Sequence, residues 1–159
     1  MLRIRTLTAA VVALSLLAGC SRTAAPPAGD PSDPPPSAAV DGGFEEARRT
    51  WQARRPAAYA YDLAIACLCI HRGEYRVEVR GDEIASVRML PSGAPAPESR
   101  VEWIVTVDRL FEVMAQAGQL GTPVRATFDA RMGYPVEAEI GLLADDSGTL
   151  YRIQNLRAM

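Results

Sequence analysis

The stretch Glu74–Leu90 (EYRVEVRGDEIASVRML) decides the fold of this chain. Tyr75, Val77 and Val79 alternate with charged residues, a period of two that is typical of a strand with one buried face. Gly81-Asp82 follows as a two-residue turn, with glycine in the first position as a type II′ turn requires. The stretch therefore predicts an antiparallel hairpin whose apolar face packs against a core.

The second strand of this hairpin, Glu83 to about Leu90, has two alternative registers. A plain two-residue turn directs Ser86 and Arg88 toward the core, although both are polar. A bulged turn instead directs apolar residues inward, namely Ala85, Val87 and Met89. We favour the bulged register because it places apolar side chains on the buried face.

Periodic segments extend in both directions from the hairpin. Phe44 to Arg55 has apolar residues at helical spacing and is followed by Pro56, and the period changes to two from Ala57 to Cys67. Further along, the patterns predict a helix from Val107 to Ala117 with Thr106 as N-cap, and strands at Val124–Asp129, Tyr134–Leu142 and Thr149–Leu156. In the strand Tyr134–Leu142, the predicted inward residues are Val136, Ala138, Ile140 and Leu142, with Glu137 and Glu139 outward.

These elements follow the order α-βββ-α-βββ. The order predicts an α+β fold in which two helices pack on a mostly antiparallel six-stranded sheet. Residues 44–159 are long enough to form one modest core, so we expect a single domain there. The repeated order also raises the hypothesis of an internal duplication, although the two halves share little sequence identity.

The first 19 residues have the organisation of a signal peptide. Arg3 and Arg5 give a positive start, and the apolar stretch Leu7–Leu17 is shorter than the roughly 20 residues that span a bilayer. Leu17-Ala18-Gly19-Cys20 resembles the lipobox of bacterial lipoproteins, in which the bond before the cysteine is cut and the cysteine is acylated. The resemblance implies that Cys20 is lipidated and anchors the protein to the cell membrane, facing the periplasm or the cell exterior.

Residues 20–43 predict a disordered tether between this anchor and the domain. The segment contains six prolines, and Val40 is its only larger apolar residue, so it cannot bury enough surface to fold. Its reach is on the order of 30–70 Å. Without Arg3 and Arg5 the chain has 15 arginines against 19 acidic residues, a net charge of −4. This charge argues against a nucleic-acid partner.

Cys67 and Cys69 are the two cysteines that remain beyond the anchor. Thiols of exported proteins usually oxidise, which favours a Cys67–Cys69 disulfide. In an extended strand, however, residues two apart have parallel Cβ vectors and Cα atoms near the 6.8 Å limit for such a bond, so the strand must bend before Leu68. Two unreactive buried thiols are the alternative.

His71, the only histidine, follows at the same spacing and allows a third interpretation of the two cysteines. Two thiolates and an imidazole are ligands for Cu(I) or Zn, so Cys67, Cys69 and His71 form an alternative metal or redox site. On a straight strand these ligands spread over roughly 13 Å, too far for one ion without a turn. The disulfide is therefore favoured, and neither a metal nor another cofactor is predicted.

The sequence contains no recognisable catalytic arrangement, and we predict no catalytic residues. It has no Ser–His–Asp order and no phosphate-binding loop, and Glu137 and Glu139 are expected on the outer face. The aromatic residues Trp51, Trp103, Tyr59 and Tyr61 are expected to fill the core or its edge. Asp129 with Arg131 predicts a local salt bridge, and Asp145-Asp146 predicts a turn.

Several short motifs resemble a bacterial family catalogued as domain of unknown function 6174, whose members are exported and often lipoproteins. The matching segments are Trp51 before Tyr59-Ala60-Tyr61, Cys67-Leu68-Cys69, Val77-Glu78-Val79, Val107-Asp108-Arg109-Leu110-Phe111, Phe128-Asp129 before Gly133-Tyr134-Pro135, and Ala144-Asp145-Asp146. The chain departs from the family pattern at Gly141, where such proteins often have Asp, and at Ser147, where they often have Glu. The resemblance implies export and fold but no activity.

These features together predict a non-enzymatic lipoprotein of the cell envelope. Its antiparallel sheet is expected to present a surface to another envelope protein or to a peptide. The alternative function is a thiol, metal or redox role through Cys67, Cys69 and His71.

Overall fold

The computed structural model of the chain describes residues 42–159. The predicted signal peptide 1–19, the predicted lipidation site Cys20 and nearly all of the predicted tether 20–43 lie outside the described residues. Within residues 42–159, no helix combines the length and the apolar character that a membrane span requires.

Three α-helices and six strands make up the described part of the chain. In order these are α1 (Gly42–Arg54), β1 (Ala58–Ala66), β2 (Gly73–Arg80), β3 (Glu83–Met89), α2 (Glu98–Val101), α3 (Val107–Gln119), β4 (Val124–Phe128), β5 (Pro135–Ile140), a 3-10 turn (Leu143–Asp145) and β6 (Thr149–Ala158). The strands form one sheet in the order β3-β2-β1-β6-β5-β4, with every neighbouring pair antiparallel. The predicted α+β class and six-stranded sheet are therefore confirmed, and the short helix α2 is an addition.

The two βββ segments occupy different positions in the sheet. Strand β1 lies in the centre and pairs with β2 and β6. Its counterpart in the second half, β4, lies at an edge and pairs only with β5 among the described strands. The topology therefore gives no support to the hypothesis of an internal duplication.

A single core fills one face of the sheet and is covered by α1 and α3. Trp51 of α1 is fully buried and meets the Tyr59 ring edge to face, with 5.3 Å between ring centroids. Phe44 packs in the same manner against Phe111 of α3 at 5.6 Å. Edge-to-face pairs suit the quadrupole of aromatic rings, so these contacts fix both helices on the sheet. Tyr61 is also fully buried, as expected.

Helix α3 begins as predicted and ends two residues later. The Thr106 hydroxyl accepts a hydrogen bond from the backbone N–H of Arg109 at 3.1 Å, which satisfies one unpaired donor of the first turn. The helix continues through Gly118 to Gln119, whereas the sequence predicted its end at Ala117. The predicted end of the helix at Ala117 is therefore two residues too early.

The hairpin of β2 and β3 contains a bulge, but inside the strand rather than in the turn. Ile84 lies opposite Val79 as in a plain two-residue turn, and the register then shifts so that Val87 lies opposite Val77. Val87 is buried and Met89 is half-buried, as the bulged register predicts, whereas Ala85 is exposed. The inward placement of Ala85 is wrong because Ala85 is the bulged residue.

A second bulge explains why Val136 of β5 does not face the core. Thr127 lies opposite Glu137 but Phe128 lies opposite Pro135, so Val136 has no partner across the pair. Its side chain is 37% exposed. The alternation predicted for this strand holds for Ala138, which is fully buried, and fails before the bulge.

The turn between β4 and β5 packs against α1. One carboxylate oxygen of Asp129 accepts hydrogen bonds from the backbone N–H groups of Arg131 (3.0 Å) and Met132 (2.6 Å). The predicted salt bridge between Asp129 and Arg131 is therefore wrong, because the carboxylate binds backbone groups of the turn. Gly133 follows with φ of +81° and lies against the backbone of α1.

Candidate functional site

The candidate site is the segment 67–71, which we call the CxCxH loop, at the end of β1. The strand ends at Ala66 and the chain bends from Cys67 onward. The Cα atoms of Cys67 and Cys69 are 5.2 Å apart, and their Sγ atoms lie at disulfide distance. The bend that a bond between these cysteines requires is therefore present.

The same bend brings His71 to the two sulfurs. The His71 Nε2 atom lies 3.9 Å from Cys67 Sγ. One ligand atom each from Cys67, Cys69 and His71 lie within 4.8 Å of one another. The separation of roughly 13 Å that a straight strand imposes does not arise, because the segment turns at this point. The three residues thus form one cluster.

Trp103 completes the site from the segment between α2 and α3. Its ring stacks on the His71 imidazole, with 5.0 Å between centroids and 8° between planes. Trp103 is 49% exposed, so its predicted place in the core is wrong. The proline- and glycine-rich stretch before it has no clear periodicity, and no sequence signal places Trp103 beside the CxCxH loop.

The imidazole of His71 is enclosed by these contacts. Its Nδ1 atom is buried and has no hydrogen-bond partner among the described residues. Burial lowers the pKa of His71 below its usual value, because water no longer stabilises the imidazolium. At neutral pH the ring is therefore a neutral imidazole that can donate or accept at Nε2.

Tyr75 fixes the end of the CxCxH loop to the core. Its ring is fully buried, and its hydroxyl donates a hydrogen bond to the His71 carbonyl oxygen at 2.8 Å. Gly73 lies directly over this ring, where an added Cβ atom would be 3.1 Å from the Tyr75 hydroxyl. The loop is thus held at its base by Cys67, which packs against the core, and at its end by Tyr75.

Three exposed apolar side chains lie in the CxCxH loop or pack on it. Leu68 is 74% exposed and Ile70 is 73% exposed, and both lie in the loop, while the half-exposed Trp103 stacks on His71 of the same loop. We call these three residues the apolar rim. Leu63 and Ile65 of β1 face the core, and Cys67 packs against it. Of the six large exposed apolar residues in the described chain, the rim contains three.

The open face of the sheet has a different character, because several of its charged residues are paired with one another. The Asp62 carboxylate accepts hydrogen bonds from Arg76 and, at 2.7 Å, from the Asn155 amide. Partial burial acts to raise the pKa of Asp62, but these donors outweigh it and the pKa lies below its usual value. Glu137 pairs with Arg152 at 2.8 Å. These residues of the open face therefore have satisfied polar groups.

Glu139 lies on the same face and pairs with Arg125 at 3.6 Å. It also accepts a hydrogen bond from the backbone N–H of Leu143 at 3.3 Å. Glu137 and Glu139 thus bind different arginines, and the two carboxylates do not converge on one point.

The comparisons with known proteins place the chain in a family. Neither a curated protein nor a solved structure shows significant similarity to it. A family model described as "Family of unknown function (DUF6174)" matches residues 43–158, which cover both helices of the core, all six strands and the CxCxH loop. The chain therefore belongs to the DUF6174 family of unknown function.

Proposed function

We propose that this chain is a cell-envelope lipoprotein whose domain is a non-enzymatic interaction module, docking an envelope protein or peptide on the apolar rim. The observation that carries the proposal is the exposure of Leu68 and Ile70 on an anchored loop, together with the exposed Trp103 that stacks on His71 of the same loop. Exposed apolar side chains grouped in this way are typical of interaction surfaces. Aromatic residues with a polar edge are also enriched at binding sites.

The rim supports docking better than the open face of the sheet does. Several charged groups of that face already have partners, as the pairs of Asp62 with Arg76 and of Glu137 with Arg152 show. A partner that covers them must replace hydrogen bonds that the face already makes. Covering the rim instead removes apolar surface from water, which is favourable by about 25 cal/mol per Å².

The predicted anchor and tether determine where this module lies relative to the membrane. Under the proposal, Cys20 is acylated, and the stretch of 20–43 holds the domain away from the membrane with a reach on the order of 30–70 Å. The partner is then another protein or peptide on the same side of the membrane. Because the rim is apolar, the partner is expected to contact it through an apolar segment.

Replacing Leu68 by glutamate is expected to reduce capture of the partner at least tenfold. A buried leucine side chain contributes about 1.5–3 kcal/mol, and a charge in its place adds a desolvation cost. The measurement is photo-crosslinking in cells from a probe at Ile70, with the captured partner quantified by mass spectrometry.

Leu120→Glu is the matched control for this experiment. Leu120 is 76% exposed, as Leu68 is, but lies at the end of α3. We expect the Leu120 variant to capture as much partner as the original chain. Equal capture by the Leu68 variant, or no capture above background by the original chain, would refute docking on the rim.

A second candidate function is metal binding by the reduced loop. The observation that favours it is the cluster of Cys67, Cys69 and His71 ligand atoms within 4.8 Å. Two thiolates and one imidazole suit Cu(I) in three-coordinate geometry, and Zn(II) if a water provides a fourth ligand. The pair must be reduced for either ion to bind, since a disulfide sulfur is not a thiolate.

The reduced mature chain is expected to retain one Cu(I) or Zn(II) ion, detected by native mass spectrometry in detergent. His71→Ala removes a direct ligand, so its metal affinity should fall by at least the roughly 10–100-fold that loss of an outer-shell partner costs. Oxidation of the same sample is the control and should release the ion. A reduced chain that retains no ion, or a His71 variant of unchanged affinity, would eliminate this candidate.

A further inference from the structure

We infer that the oxidised Cys67–Cys69 pair exchanges with thiols of an apolar polypeptide, with Cys69 as the attacked sulfur and Cys67 as the leaving sulfur. This reaction goes beyond docking, because the loop gives up its disulfide to the bound chain. It is a stoichiometric exchange and requires no cofactor.

The two sulfurs differ in their surroundings, and this difference sets the direction of attack. Cys67 follows directly on β1 and packs against the core. Cys69 lies one step further along the loop, outside that packing, with the exposed Leu68 and Ile70 on either side. An incoming sulfur must approach along the S–S axis from the side opposite the leaving group. Both side chains are half-buried, but only Cys67 packs against the core, so the core hinders an approach to Cys67 more than an approach to Cys69.

His71 is placed to receive the leaving sulfur. Its Nε2 atom lies 3.9 Å from Cys67 Sγ, and the Trp103 stack and the Tyr75 hydrogen bond to the His71 carbonyl hold the residue in position. An Nε2–H group donates to a thiolate that forms at Cys67, and this hydrogen bond stabilises the thiolate as a leaving group. His71 therefore acts as a positioning residue for the exchange.

The apolar rim selects the class of substrate. Leu68 and Ile70 adjoin Cys69 in the chain, Trp103 stacks on His71, and all three expose apolar surface. A peptide with apolar residues next to its cysteine gains contact area as its thiol reaches the disulfide. Exported polypeptides that have not yet folded expose such segments, whereas small acidic thiols do not make these contacts.

The exchange balances in two steps. A substrate thiolate attacks Cys69 Sγ, a new S–S bond forms, and the electron pair of the old bond goes to Cys67 Sγ, which takes a proton from solvent. A second thiolate of the same substrate then attacks the substrate sulfur of the mixed disulfide and releases Cys69. Overall, two substrate thiols are oxidised to a disulfide and the Cys67–Cys69 disulfide is reduced to two thiols.

The test uses the mature oxidised chain in detergent and a synthetic peptide with one cysteine between leucines. After acid quenching and alkylation with N-ethylmaleimide, fragmentation by mass spectrometry locates the mixed disulfide. We expect it on Cys69 at least tenfold more often than on Cys67. A second peptide with aspartates around its cysteine should react several-fold more slowly.

Two controls separate the role of the fold from the chemistry of the motif. An oxidised peptide with the sequence of residues 66–72 has the same disulfide without the core, and it should show no such preference between the sulfurs. His71→Ala in the full chain should reduce the preference for Cys69 while the circular dichroism spectrum stays unchanged. The original chain supplies the main result, so a variant that misfolds does not decide the question.

Equal adducts on both cysteines, a preference for Cys67, or no exchange would overturn the inference, as would a mature chain isolated with both thiols free. The test uses a synthetic thiol and so does not depend on the envelope partner. Loss of partner capture together with selective exchange at Cys69 would refute docking alone. Partner capture without selective exchange would refute the exchange alone.

Discussion

Replacement of Trp51 by alanine is expected to lower the free energy of unfolding by about 3–5 kcal/mol. Trp51 is fully buried and meets Tyr59 edge to face at 5.3 Å and Tyr134 at 6.4 Å. Truncation removes these contacts and leaves a cavity between α1 and the sheet that the backbone cannot close. The measurement is urea unfolding followed by circular dichroism. A domain of this size is stable by about 5–15 kcal/mol, so the variant should be only marginally folded.

Trp103→Ala is the control, because it removes the same side chain from an exposed position. Trp103 packs on His71 but is half-exposed, so we expect a loss of less than about 1.5 kcal/mol. Trp51→Phe provides a second comparison. The Trp51 Nε1 atom is buried without a partner among the described residues, so phenylalanine keeps apolar contact and removes an unsatisfied donor. Similar losses for Trp51→Ala and Trp103→Ala would contradict the packing described here.

The sheet was predictable because its signals are local. Alternation in the β2 segment and the glycine turn after it predict a hairpin without knowledge of any other part of the chain. Thr106 likewise identifies the start of α3 through a hydrogen bond to a residue only three positions away. Each predicted helix and strand has one apolar face, and burying these faces together predicts one layer of helices on one sheet.

The bulges were less predictable because they depend on pairing partners. The bulge at Ala85 appears only when β3 is aligned with β2, and the exposure of Val136 appears only when β5 is aligned with β4. Each bulge shifts the alternation by one position, so one apolar residue of each strand points to solvent. The sequence of a single strand does not indicate that shift.

The residues of the candidate site could be predicted from the sequence, but their arrangement in space could not. Spacing identified Cys67, Cys69 and His71, but the assumption of a straight strand separated them. The bend after Ala66 and the anchoring of the His71 carbonyl by Tyr75 bring them together, and both depend on how β2 returns beside β1. Trp103 reaches the site from a distant segment, so its role is a property of the tertiary fold.

Most residues that carry the family resemblance have structural roles in this chain. Trp51 fills the core, Asp108 accepts a hydrogen bond from Arg55 at 3.0 Å, and Asp129 closes the turn before β5. The segment Cys67-Leu68-Cys69 is the matching segment that combines reactive sulfur atoms with exposed apolar surface. This contrast supports the proposal that the CxCxH loop is the functional region, while Trp51, Asp108 and Asp129 contribute to the fold.

Gly133→Ala is expected to lower the free energy of unfolding by roughly 2–5 kcal/mol, through two separate costs. Gly133 has φ of +81°, a conformation that costs an alanine about 1–2 kcal/mol. The added Cβ atom would also lie 2.8 Å from the Trp51 backbone nitrogen and closer still to the Ala47 carbonyl oxygen. Both atoms belong to the backbone of α1, so the helix must shift, at a further cost of about 1–3 kcal/mol. Urea unfolding measures the total.

Gly121→Ala separates the two costs, because Gly121 shares the backbone conformation without the contact. Its φ is +74°, and an added Cβ atom would meet nothing within 4 Å. We expect this variant to lose only the conformational cost of about 1–2 kcal/mol. The difference between the two variants then measures how tightly the turn before β5 holds α1 against the sheet. Equal losses would mean that α1 admits the extra atom freely, and the close approach at Gly133 would then contribute nothing to fixing the helix.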